Sequence, residues 1–403
     1  MEKLSVLQWR TLVLCTLVAV IDGFDVSAMA VATPAVAHAW RAPLSLFGPA
    51  LSASLLGLAL GGAAGGPLGD RYGRRRILLV LFLIGLIATT FTGLAPQITP
   101  LTVGRFFTGL ALGGTIPLGA AITAEFMPAS RRRFLLVVMF TGHPLGGALA
   151  GIAAPSLIDA WGWPAVFFTG GLLPALLFFG LLAWLPESRE CADQRKAAPL
   201  SSQSPKDSVQ ELLGPGRLSA TLILWALFFA TQFQLFFLAS WLPSLLTQMG
   251  QSLARSSYAE TTFELGGLAG ALALGRYTNP KAPTRLLVVS YLVGAAAVVV
   301  IPLVAGITLM LFTVSALAGV GALASQLCLN AITTERYPSW IRATGLGWAL
   351  SVGRIGSIVS PLVAGYLLTQ NWSAASILTA AAGPPLLCAL LAFMLPSKAE
   401  NVA

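Results

Sequence analysis

Along this chain, apolar runs of about twenty or more residues alternate with short polar stretches, and the pattern recurs from one end to the other. Each run is long enough to cross about 30 Å of hydrocarbon as a helix. The runs carry too much Gly and Leu for the alternation of a transmembrane strand, which excludes a β-barrel. They predict twelve helical spans, at residues 11–33, 46–69, 76–95, 99–124, 134–158, 164–185, 218–245, 256–276, 284–304, 306–330, 342–368 and 373–395. Polarity rises sharply only over 187–217, "ESRECADQRKAAPLSSQSPKDSVQELLGPGR", a Ser/Pro/charge-rich stretch with the composition of a linker. The expected architecture is an all-α integral membrane protein whose twelve transmembrane helices form two pseudo-symmetric six-helix bundles. These are an N-terminal bundle over 1–186, a cytoplasmic linker over 187–217 and a C-terminal bundle over 218–403.

The two halves share sequence. "AITAEFMPASRR" (121–132) and "AITTERYPSWIR" (331–342) agree at 6 of 12 positions with an offset of 210. Carried along the chain, that offset maps Asp22 to Gln232 and His143 to Gly353, next to Arg354. Transporters built from such repeats hold their substrate near the midplane, where the halves rock against each other.

Composition and charge fit this picture. The chain is 56% hydrophobic and 10% charged, with a mean hydropathy of +0.81. With the N-terminus placed inside, 20 of the 24 Lys and Arg fall in inside segments, among them Arg71 to Arg76 and Arg131 to Arg133. By the positive-inside rule, both termini are expected in the cytoplasm; the inner membrane is the expected location. The net charge of +9 is then accounted for by topology, without a nucleic acid partner. The first span is too long, and too continuous with the next apolar run, to read as a cleaved signal. Cys15, Cys191, Cys328 and Cys388 have no metal-ligand spacing, so neither disulfide nor metal is expected.

Ionisable groups inside apolar spans cost about 2.5 to 3.5 kcal/mol each on insertion scales and mark candidate sites. Asp22 and Asp25, in "VAVIDGFDVSAMAVA", are spaced i,i+3 on one helix face. Like charges this close make it unfavourable for both to be ionised, so the pair is a candidate for reversible proton binding, against a packing role through backbone or hydroxyl partners. Arg105, in "TVGRFFTGLALGG", is at a depth a span 1 carboxylate can approach. Arg354, in "SVGRIGSIVSP", is flanked by glycines that allow close approach, and a guanidinium is well shaped for a carboxylate. His143 precedes Pro144 near the centre of span 5, with a titration range suited to proton transfer and a packing role as the alternative. Glu264 is a proton or substrate candidate in span 8; Glu260, one turn nearer the outer surface, is expected to face water there. Phe24, Phe140, Phe236 and Trp241 offer stacking surfaces for a flat ring, although interhelical packing explains most aromatics at these spacings. Gln232, Gln326 and Asn330 complete the polar substrate-binding candidates. The glycine runs come after no strand and read as close helix packing rather than phosphate loops. No catalytic triad order or paired metal ligands occur, so an enzyme is not expected.

"GGPLGDRYGRRRILL" (65–79) resembles the signature between spans 2 and 3 of the major facilitator superfamily. The resemblance covers the whole chain. "DGFD" in span 1, "GRFFTGLALGGTIP" in span 4, "WLPES" closing span 6 and "YPSWIRATGLGWALSVGRIGSIVSPLVAG" through span 11 resemble the aromatic acid:proton symporters, which carry benzoate, 4-hydroxybenzoate and hydroxyphenylpropionate. The resemblance implies the major facilitator fold, a span 1 acid motif at Asp22 and Asp25, and the family's arginines at Arg105 and Arg354. It implies gating roles for Asp70, Arg71, Arg74, Arg75, Glu125, Glu335 and Arg342. The loop "LGRYTNPKAPTRLL" departs from the family by lacking the acidic residue and glycine of a second gate, and Glu264 and His143 lie outside the family motif.

The expected function is therefore a proton-coupled symporter that imports a small organic anion, an aromatic monocarboxylate first of all, by alternating access. Its partners are the acid, protons and the bilayer; it uses no cofactor beyond the coupling proton and acts as a monomer. A proton-coupled carrier or exporter of a non-aromatic metabolite or drug is the alternative.

Overall fold

A computed structural model describes residues 4–187, 212–214, 217–277, 283–337 and 341–395. Among these residues the chain forms twelve helical spans. Spans 1 to 6 are Val6–Trp40, Gly48–Tyr72, Arg74–Gly93, Ile98–Phe126, Arg132–Phe140 continued by Gly142–Trp161, and Pro164–Trp184. Spans 7 to 9 are Leu218–Gln248, Leu253–Tyr277 and Pro283–Val304. Span 10 joins Thr308–Gly319 to Ser325–Arg336 through a π-helical turn at Val320–Ala324, span 11 is Arg342–Thr369, and span 12 is Ala374–Ala380 followed by Gly383–Met394. Eleven of them are long and apolar enough to cross a membrane. The other, Leu253–Tyr277, has the length, and its Glu260 and Glu264 lower its apolarity. Span 1 is 35 residues long, about 52 Å at 1.5 Å per residue, so it exceeds the hydrocarbon thickness and reaches beyond the predicted 11–33 at both ends.

Contacts divide the chain into two compact units, Met1–Pro199 and Leu200–Ala403. In the first, span 2 packs along span 4, span 1 along span 5, and span 3 between spans 4 and 6. Its core gathers Leu12, Val18, Phe82, Leu118, Ile122, Met139 and Leu181. The second unit repeats the scheme, with span 8 along span 10, span 7 along span 11, and span 9 against spans 10 and 12. Its core includes Leu224, Phe228, Tyr291, Leu329 and Cys388.

Glycines set these contacts. A Cβ on Gly109 would stand 2.0 Å from the Ser54 carbonyl oxygen, and one on Gly61 2.0 Å from that of Leu110, so spans 2 and 4 meet backbone to backbone. In the second unit a Cβ on Gly319 would stand 1.9 Å from the Phe263 carbonyl oxygen. Gly146 meets Val20 and Phe24, and Gly356 meets Phe229 and Phe233. These pairs refine the internal repeat. Spans 4 and 5 correspond to spans 10 and 11 at an offset of 210 (Gly109 to Gly319, Gly146 to Gly356), whereas spans 1 and 2 correspond to spans 7 and 8 at 209 (Val20 to Phe229, Ser54 to Phe263). Asp22 therefore corresponds to Thr231 rather than Gln232, and Asp25 to Gln234. The loop match that gave 210 holds only after the one-residue shift.

Candidate functional site

Asp22 and Asp25 are both buried in the middle of span 1. Their shared face suggested that they act on each other, but the structure gives each carboxylate its own partner. Arg105 Nη1 donates to Asp25 Oδ1 at 2.9 Å while Nη2 lies 2.8 Å from Oδ2, a two-pronged guanidinium–carboxylate contact with both side chains out of solvent. Nη2 also donates to Ser54 Oγ at 2.9 Å and to the Asp25 carbonyl oxygen at 3.2 Å. The Thr89 hydroxyl donates to Asp25 Oδ1 at 3.1 Å, with Thr108 Oγ1 3.4 Å away. Four helices thus converge on one ion pair. The close glycine contact between spans 2 and 4 is what brings Ser54 within reach of Arg105. Ser54, Thr89 and Thr108 were not singled out from sequence, because a Ser or Thr in an apolar span ordinarily bonds its own helix backbone. Thr108 does so as well, to the Gly104 carbonyl at 3.0 Å.

Asp22 turns to span 5 instead. His143 Nδ1 stands 3.0 Å from Asp22 Oδ2, with the Asp22 side chain 4% and the His143 side chain 34% exposed. Gly23 makes this approach possible, since a Cβ there would lie 1.8 Å from the His143 carbonyl oxygen. Span 5 is broken just before this point at Thr141, and Pro144 withholds the N–H that would continue the helix.

At the end of span 2, Arg74 joins Asp70, at 2.9 Å, to Glu125 of span 4. Arg75 Nη2 donates to the Leu182 carbonyl of span 6 at 2.5 Å, and the Arg71 guanidinium lies 5.2 Å from the Tyr72 ring centroid. The expected gate residues of the first unit therefore tie together the ends of spans 2, 3, 4 and 6. In the second unit Arg342 is exposed and its Nε donates to the Tyr337 carbonyl at 3.4 Å. The Glu335 side chain and residues 278–282 of the departing loop lie outside the described residues.

In the second unit Arg354 is half-buried on span 11. Its neighbour Gly353 faces Gln232 of span 7, where a Cβ would meet Gln232 Cγ at 3.0 Å, so the structure brings Gln232 beside Arg354's turn. Gln326 Nε2 donates to Asn330 Oδ1 at 3.0 Å, just past the π-helical turn of span 10. Glu264 is buried, and so is Glu260, which corrects the expectation that Glu260 faces water. The span 7 aromatics form a ladder: Phe233 stacks on Phe237 with centroids 5.9 Å apart, and Phe236 and Trp241 are buried. Phe24 is buried near Gly170, whereas Phe140 is exposed, so these two first-unit aromatics face different surroundings. Among the described residues no cluster of three His, Cys, Asp or Glu could hold a metal ion.

The sequence pattern of the Major Facilitator Superfamily matches residues 15–338 and 257–402. The chain belongs to that superfamily. A gallate transporter of Pseudomonas putida is 32% identical, covering 100% of this chain and 92% of that protein. A 3-(3-hydroxy-phenyl)propionate transporter of Escherichia coli is 33% identical, covering 97% and 95%. The inward open xylose transporter from E. coli superposes with a TM-score of 0.76 at 17% identity over 98% of both chains, which shows the shared fold. The protein is a multi-pass membrane transporter and not an enzyme.

Proposed function

We propose that this transporter imports a small aromatic monocarboxylate together with one or more protons, across the inner membrane, with both termini in the cytoplasm. The observation that carries the reading is full-length likeness, at about a third identity, to carriers named for hydroxylated aromatic acids. The buried charges supply a chemistry for it. An incoming carboxylate pairs with Arg354, a permanent cation with a bidentate fork, and its ring lies against aromatic faces such as those of span 7. A proton on a span 1 carboxylate, Asp22 or Asp25, removes a buried negative charge and lets the halves exchange their open sides; without it the ionised carboxylate holds one state.

Uptake into proteoliposomes of labelled gallate, 4-hydroxybenzoate, 3-(3-hydroxyphenyl)propionate and an aliphatic acid, with and without an inward proton gradient, tests the reading. Accumulation of at least one aromatic acid above equilibrium only with the gradient is expected, and Arg354→Ala is expected to abolish it. Accumulation of the aliphatic acid alone, or accumulation indifferent to the gradient, would favour a different cargo or coupling.

A further inference from the structure

We propose that His143 is the port through which the coupling proton reaches Asp22, so that Asp22–His143 titrates during transport while Asp25–Arg105 stays ionised throughout. This rests on the reading of the protein as a proton-coupled carrier, and it assigns within that reading which carboxylate does the carrying.

The two pairs differ in what a proton would do to them. Asp25 accepts from two guanidinium N–H groups and from Thr89. Protonating it would strand Arg105, fully buried and unable to lose its own proton, as an unpaired cation. Asp22 has as its partner an imidazole, which gives and takes protons in the physiological range, and its Oδ1 has no hydrogen-bond partner among the described residues. Of the two side chains in the pair, His143 is the more open, at 34% exposure against 4%. A proton taken from water at the outer ring nitrogen turns the imidazole into imidazolium. The Nδ1 proton then passes 3.0 Å to Asp22 Oδ2, leaving a neutral ring protonated on the other nitrogen and a neutral carboxyl. Release runs the same steps backwards, so no proton is gained or lost over a cycle beyond the one carried.

Spans 1 and 5 pack against each other and against spans 2, 4 and 6. Span 6 carries no titratable side chain, and Asp25 and Arg105 are the nearest charges on spans 1 and 4. Cys15 is two turns along span 1 and Arg10 and His38 lie farther; Arg132 and Asp159 are near the ends of span 5, and Glu125, Asp70 and Arg71 belong to the gate corner. The backbone contacts of Gly23, Gly142 and Gly146 clamp span 1 to span 5 on either side of the pair, which fixes its distance. The second unit has no copy of it: at the corresponding positions stand Thr231, hydrogen-bonded to Tyr291, and Gly353.

The chain has two histidines, His143 and the exposed His38, so nitrogen NMR of histidine-labelled protein in lipid nanodiscs reads each ring, with His38→Gln assigning the signals. Between about pH 5 and about pH 9, His143 is expected to titrate, and Asp22→Asn to move its midpoint by about one unit while leaving that of His38 in place. In proteoliposomes, His143→Gln is expected to lose at least tenfold in gradient-driven accumulation of labelled gallate or 3-(3-hydroxyphenyl)propionate. A His143 ring that does not titrate, or whose midpoint ignores Asp22→Asn, overturns the proposal, as does full accumulation by His143→Gln. If wild-type protein moves neither acid, the reading of its cargo fails, and the NMR titration still decides the role of His143.

Discussion

The two halves of this transporter use one packing frame for different chemistry. In the first, Asp25 on span 1 is held by Arg105 on span 4, with Ser54 and Thr89 completing the contact. At the corresponding positions of the second stand Gln234, Ser315, Phe263 and Val298, and both Gln234 Oε1 and Ser315 Oγ are buried without a hydrogen-bond partner among the described residues. Among the described residues, the buried carboxylates of the second half lie instead on span 8, as Glu260 and Glu264, where span 2 of the first half has Leu51 and Leu55. The glycine contacts recur almost atom for atom, while the charges do not. Backbone proximity at small residues therefore sets the architecture, and the buried polar groups are free to differentiate the halves.

The largest expected effect comes from erasing that difference. Arg105→Ser copies the second half and leaves Asp25 buried without its cation, which should cost about 3 to 5 kcal/mol in thermal unfolding of the detergent-solubilised protein. Adding Asp25→Gln, the other half of the copy, should recover at least half of that loss. No recovery would mean that Arg105 matters through its bulk and not through its charge.

A smaller effect sharpens the common part of the frame. Gly109→Ala and Gly319→Ala each force a Cβ to within 2.0 and 1.9 Å of a facing carbonyl oxygen, and each should destabilise by about 1 to 3 kcal/mol. The account requires the two losses to match within experimental error, since the contact is the same in both halves. A loss confined to one half would show that the repeat is not mechanically equivalent.

Much of the fold was legible in the sequence because membrane helices announce themselves: the number of spans and the six-plus-six repeat come from hydropathy and one loop match, while most of the expected linker over 187–217 lies outside the described residues. The repeat was read one residue out of register in spans 7 and 8, because a match in the loop after span 4 carries no information about a shift before it. Arg105 at the depth of a span 1 carboxylate was visible from its position in the span. That Asp22 and Asp25 part company was not, since helical spacing fixes a shared face but not which neighbour each side chain finds. Gly23 decided that outcome, and a lone glycine beside an aspartate gives no sign of the histidine 120 residues later that packs against it. Glu260 was placed in water by its nearness to a helix end, whereas the packing of spans 7 and 8, joined by Thr247 and Ser256 at 3.3 Å, closes that end off.

The central claim is that an aromatic acid and a proton cross together. Its most direct test is to add gallate, 4-hydroxybenzoate or 3-(3-hydroxyphenyl)propionate outside proteoliposomes loaded with a pH-sensitive dye, without any imposed gradient, and to follow the internal pH as the labelled acid enters. The account expects internal acidification in proportion to acid uptake in wild-type protein. In Asp22→Asn, exchange of the acid should persist with that signal lost. Uptake with no accompanying pH change in wild-type protein, or an undiminished signal in Asp22→Asn, would contradict it.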